Sequence, residues 1–257
     1  MLRVTSGIPS VFRGTPLNFE STLPIGEPEL MRVSAFRRYL DDLDRESDTT
    51  GTSRLSSLNP SLWHDLMRFE QDGDGGSLEL VEVLAASVRH ARSLAIHLQC
   101  DDKVVTLTVF PIERLCHCQL PMREFLDRRL SELEVLHVEP AVLRPPGDAE
   151  RSLVGEAHLY HPLAPVAWQL ALHGARDALL PEIAGAAAYR VAPGVNLGDL
   201  PLSGSLEAAV RRLQRQTTNL RDMAEWPGFD RVRAMRLLNA LYLQAGLIVS
   251  RSHPAAR

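Results

Sequence analysis

The sequence predicts an α+β fold, a small, mostly antiparallel sheet with flanking helices, followed by a mainly helical region. Three observations predict it. Apolar residues alternate with period two through "SLAIHLQC", the pattern of a half-buried strand, and after a charged "DDK" that fits a hairpin turn the β-branched "VVTLTVF" supplies a partner strand. Around them, residues 30–43, 61–69 and 78–91 repeat their apolar positions at helical spacing, giving the order helix, strand, strand, helix, strand of an α+β domain. Beyond residue 151 the chain turns mainly helical. With 257 residues, 45% of them hydrophobic, the chain has enough apolar material for a core without metal or disulfide support.

Residues 1–26 carry Pro9, Pro16 and Pro24 among Ser, Thr and Gly with no periodicity, and are expected to form an extended arm. An α+β domain is expected over 27–143. It opens with an amphipathic helix, apolar at Leu30, Val33, Phe36, Leu40 and Leu43, that ends before "ESDTTGTS". A second helix begins around Pro60, which fits a first turn, and "QDGDGG" stops it. After the helix at 78–91 and the two strands, "LCHCQ" adds a short third strand. A helix follows Pro121, and "LEVLHVEP" supplies a further strand.

"LRPPGDAER" is the expected internal linker, placed at 144–151, because two prolines, a glycine and a cluster of charges do not fit inside a regular element. The second domain, 152–257, is read as mainly helical. "LAPVAWQLALHG" is a helix closed by Gly174, "DALLPEIAG" a shorter one bent or ended near Pro181, "AAAYRVAPG" a strand and "VNLGDLPLSG" a loop.

Three helices are expected near the C-terminus. The first is capped by Ser205 and carries Leu206, Ala209, Val210 and Leu213. The second is capped by Thr218 or Asn219 and buries Leu220, Met223 and Ala224. "WPGF" forces a sharp turn, Gly228 supplying backbone angles other residues avoid. The third helix runs from about Asp230 to Ala245, is terminated by Gly246 and gives way to the strand "LIVSR". Leu220, Ala224, Gly228, Val232, Leu237, Leu238, Leu241 and the exit "AGLIV" together resemble the winged helix-turn-helix family over 205–251. That resemblance implies a second helix lying in a major groove, with Arg231, Arg233 and Arg236 at its N-terminal side facing base edges. A full wing does not fit, because only "SHPAAR" follows Arg251. On a helical projection Arg233, Arg236, Ala240 and Gln244 form one narrow polar stripe beside a wide apolar arc of Met235, Leu238, Leu241, Tyr242 and Ala245, so much of this helix is expected to be buried.

Charge is asymmetric. Residues 205–257 hold nine arginines against Glu207, Asp222, Glu225 and Asp230, on a chain whose net charge is −4, so a basic C-terminal segment sits on an acidic remainder. Such a segment meets nucleic acid, an acidic partner or the body itself. Lys103 is the one lysine among 28 basic residues, a bias of GC-rich bacterial genomes. Three cysteines do not resemble a disulfide framework, residues 1–20 lack the apolar stretch of a secretory leader, and no segment is long and apolar enough to span a bilayer, so a cytoplasmic protein without membrane association is expected.

No motif for catalysis or a cofactor is complete. Cys116, His117 and Cys118 are of zinc-binding types, but a tetrahedral site needs about four ligands, and buried cysteines are the plainer reading. "HVE" matches the H-x-E half of zinc deaminases without the P-C-x-x-C that must follow it, leaving His137 and Glu139 as an acid–base pair or a structural one. His158 and His161 sit beside Pro162, which disfavours a helix presenting both. The run from Glu70 to Gly76 begins like a calcium loop, but Val81 stands where the bidentate glutamate belongs. Phosphate-binding glycine loops and a nucleophile elbow are absent from the sequence. The expectation is therefore a non-enzymatic regulatory or adaptor protein without cofactor or metal. It acts on a protein partner through Arg231, Arg233, Arg236 and Gln244. DNA binding by the same residues is the alternative, and an enzyme using His137 and Glu139 a further one.

Overall fold

The computed structural model describes residues 30–50, 60–72 and 78–256. The expected N-terminal arm and most of the calcium-like loop lie outside the described residues. The fold is α+β, as the periodicities require.

Its frame is a five-stranded sheet, antiparallel throughout, in the order β4-β1-β2-β3-β5. The strands are β1 (Leu94–Cys100), β2 (Lys103–Phe110), β3 (Leu115–Cys118), β4 (Glu134–Pro140) and β5 (Tyr160–Pro162). Period two decides the two faces. Leu94, Ile96, Leu98 and Cys100 join the main core together with Val105, Leu107, Val109, Cys116 and Cys118. The register of β1 with β4 shifts between His97 and Leu98, leaving Leu136 as an extra residue and putting both Val135 and Val138 in the core.

Helices α2 (Pro60–Asp72), α3 (Leu80–His90) and α5 (Leu163–His173) bring further apolar side chains to that core, and α4 (Met122–Leu126) adds Phe125. On the opposite face α1 (Val33–Thr50) sets Phe36 against His97, ring centroids 5.0 Å apart. This helix runs on to Thr50, through the segment expected to end it. Its start is tied to the β1–β2 turn by hydrogen bonds from Val33 N to Asp102 O and from Val104 N to Met31 O.

The segment expected as a linker is a loop with much of its length exposed. Beyond it the chain returns to the first sheet, since β5 pairs with β3, and α5 packs on α3. One hydrophobic cluster runs from Leu62 to Leu243. β5 was not legible in the sequence because three residues ending in proline show no alternation.

The C-terminal region holds α6 (Gly204–Arg215), α7 (Leu220–Ala224) and α8 (Arg231–Leu243), with a second sheet in the order β7-β6-β8. Its strands are β6 (Ala188–Val191), β7 (Thr218–Asn219) and β8 (Leu247–Ser250). "DALLPEIAG" is not the helix expected of it. The segment runs as loop and turn, held by side chains from elsewhere instead of by its own ladder. Asn239 of α8, 1% exposed, donates from Nδ2 to Ala178 O at 2.8 Å and accepts from Leu180 N at 2.9 Å. Arg176 adds a bond to Leu179 O at 2.7 Å and pairs with Glu79, which precedes α3, and with Glu82 in its first turn.

The helix boundaries follow from their caps. Asn219 accepts from Asp222 N at 2.8 Å, and Asp230 accepts from Arg233 N at 2.7 Å. For α6 the capping position is Ser203, two residues before the expected Ser205, and its side chain makes no capping bond. Gly174 stands at the end of α5, where any Cβ would run into the Leu170 carbonyl oxygen. At the end of α8 the left-handed residue is Ala245, φ 52°, one position before the expected Gly246.

Candidate partner-binding face

Helix α8 is turned with one side to the body and its first turn to solvent. Arg236 donates from Nε to Arg176 O at 3.1 Å and from Nη1 to Leu172 O at 3.5 Å, so it engages one carbonyl in the last turn of α5, where a cation is favoured, and one in the loop that follows. Gln244, two turns on, donates to Ala164 O in the first turn of α5 at 3.1 Å. Between them Ala240 is fully buried. The stripe read as polar is thus a seam: α8 lies antiparallel to α5, with a small residue at mid-seam and a hydrogen-bonding side chain at each end. Of the four residues expected to meet a partner, Arg236 and Gln244 are half-buried on α5, whereas Arg231 and Arg233 are exposed together on the first turn.

The exposed arginines continue onto neighbouring elements. Arg212 of α6 lies over the Trp226 ring at 4.5 Å, and Arg233 over the Phe229 ring at 5.4 Å. The two rings meet edge to face at 6.3 Å, making one ladder from α6 through the α7–α8 turn to α8. The turn closes on α6 at Gly228, φ +77°, where a Cβ would come within 3.0 Å of Ser205 Cβ. Among the described residues Arg212, Arg231 and Arg233 form no ion pair, in contrast to Arg211, which holds Glu207 at 2.6 Å. Exposed carboxylates of Asp222, Glu225 and Asp230 are interleaved with these cations.

Arg212, Trp226 and Phe229 were not singled out by the sequence reading. "WPGF" was legible as a turn, and its two aromatics three residues apart were the available sign that the turn also carries rings.

His137 and Glu139 share the outer face of the first sheet, as alternation requires. Glu139 Oε1 is hydrogen-bonded to His97 Nε2 at 3.0 Å, and His97 Nδ1 faces Thr106 Oγ1 at 3.1 Å. This Thr–His–Glu row lies partly under Phe36, and the His137 ring stacks on His97 at 5.9 Å. Cys116 and Cys118 point into the core while His117 points the other way, beside Gly155 and Tyr160. Burial pushes the Cys116 thiol up to about 12 and the Cys118 thiol up to about 11. Burial also lowers the pKa of His117 and of His161. His158 is exposed on the turn before β5, and His161 lies half-buried within the strand. No group of three or more His, Cys, Asp or Glu side chains among the described residues is placed to hold a metal ion, and no described helix is long and apolar enough to cross a membrane.

Compared with protein-family models, curated proteins and solved structures, the chain matches none.

Proposed function

We propose that this chain is a non-enzymatic regulatory or adaptor protein of the bacterial cytoplasm that acts through protein–protein contact at the exposed face of α6, α7 and the first turn of α8. The observation that carries the reading is the division of the α8 arginines. Arg236 is held by carbonyls of α5 and the loop after it, while Arg231 and Arg233 stay outside without an ionic partner. Interleaving of charge also favours a protein. Asp222, Glu225 and Asp230 would each repel a regularly spaced row of phosphates, whereas a protein surface can oppose both signs.

The C-terminal unit is read as winged-helix-like from the succession α6, β7, α7, α8, β8. The strand beside β8 is β6, from upstream in the chain. Duplex DNA is the second reading. It is favoured by the exposure of Arg231 and Arg233 at the helix end that, in that family, faces base edges. Anisotropy of labelled duplex with the full chain separates the two. The protein reading expects no saturable binding between roughly 50 and 200 mM salt. Binding that falls steeply with salt and is lost in the Arg231→Ala/Arg233→Ala variant would replace it with the DNA reading.

A further inference from the structure

Five arginines of the exposed face, Arg212, Arg215, Arg221, Arg231 and Arg233, are free of carboxylates among the described residues, but two of them differ from the rest. Arg212 and Arg233 each lie over an aromatic ring, and the rings touch, so the two guanidinium groups are mounted on one rigid support that spans two helices. A guanidinium packed on a ring by its face keeps its N–H edge free for bidentate pairing with an oxyanion, and it has already lost part of the rotamer freedom that binding would cost. Trp226 is 7% exposed and so is anchored by the core. Val232, 36% exposed, stands between Arg231 and Arg233 as an apolar contact.

We infer that Arg212 and Arg233 form a two-point clamp for a pair of carboxylates on an acidic segment of a partner protein. This inference rests on the protein-partner reading above. Carboxylate is preferred to phosphate by the position of Asp230. Its side chain already occupies the N-terminus of α8, the place a phosphate would seek, and its charge opposes an anion lodged there. An acidic segment bearing two separated carboxylates reaches both guanidinium groups from the side and leaves the helix end to its own cap.

The test is a titration of the 15N-labelled full chain with a synthetic peptide repeating Glu-Ser-Leu, following the Nε–Hε resonances of the arginines. Saturable shifts are expected at Arg212 and Arg233 together. Arg212→Ala or Arg233→Ala should each raise the Kd by about tenfold, as loss of a charge-assisted bidentate contact does. Arg212→Lys and Arg233→Lys should recover only part of that loss, because an ammonium lacks the planar fork. Lysine variants that bind like the wild type would reduce the site to bulk charge and overturn the clamp, as would shifts confined to other arginines or no saturation. Concentration-dependent shifts without peptide would assign the pair to a second copy of the chain, also against it. A photo-crosslinker in place of Val232 in cells tells the two levels apart. Protein adducts that survive the Arg212→Ala/Arg233→Ala change sink the clamp and leave the adaptor reading standing. Duplex DNA that displaces the peptide sinks the adaptor reading itself.

Discussion

Replacing Asn239 by alanine should destabilise the protein by about 3 kcal/mol. Asn239 makes two hydrogen bonds to the 178–180 backbone, at 2.8 and 2.9 Å, and Leu180, which donates one of them, is fully buried. Loss of each bond costs roughly 1 kcal/mol, and stranding the Leu180 N–H away from water adds on the order of 1 kcal/mol or more. Ala178 is exposed, so its carbonyl can turn to solvent and adds little. In a chain of this size that sum corresponds to a fall in Tm of roughly 6–12 °C. Urea denaturation followed by far-UV circular dichroism reads it as a lower midpoint at unchanged slope. Asn239→Asp is the informative companion. It keeps the acceptor for Leu180 N but loses the donor to Ala178 O and buries a charge, so at neutral pH it should cost at least as much as alanine and recover on acidification as the carboxyl protonates. A loss below about 0.5 kcal/mol for Asn239→Ala would refute the reasoning, since the 176–183 segment would then not be held by α8.

Other outcomes follow from the same geometry. Ala245→Gly should raise stability by about 0.5–1 kcal/mol, because Ala245 is exposed and sits at φ 52° where a side chain is strained; an unchanged urea midpoint would contradict this. Cys116 and Cys118 should resist iodoacetamide at pH 8 until the protein unfolds. Their folded values lie above the ordinary thiol value, so the stability they contribute is fully present below about pH 9 and is lost as pH rises toward 11 and 12; a unfolding midpoint flat across that range would count against their burial. Trypsin cleavage after Arg151 should leave the two pieces associated through β3–β5 pairing and the shared core, and pieces that separate on gel filtration would instead show independent domains.

Local patterns carried much of this fold. Alternation in 94–100 located β1 and gave the face of each of its residues, β-branched residues marked β2 after the turn, and of the two capping candidates Thr218 and Asn219 it is Asn219 that caps α7, while α8 starts at the expected Asp230. What escaped was contact between distant segments. The two residues of β7 and the three of β5 are too few to show a period, and they exist as strands only because Tyr189 and Cys116 offer them partners. "DALLPEIAG" has helix-forming residues, yet hydrogen bonds from Asn239 and Arg176 stabilise an irregular path that no local propensity encodes. The stripe on α8 was located correctly as a line of residues. Its neighbour was not legible, because Arg236 and Gln244 bind main-chain carbonyls, and a carbonyl carries no side-chain identity to read in a sequence.

Helix α8 turns Arg236 inward and Arg231 and Arg233 outward. Timed modification of the native protein with phenylglyoxal, with mass mapping of each arginine, reads that orientation. Arg231 and Arg233 should react early, and Arg236 should stay protected until denaturant releases α5. Equal rates for Arg233 and Arg236 in the folded protein would mean that the seam is open and that α5 does not hold Arg236.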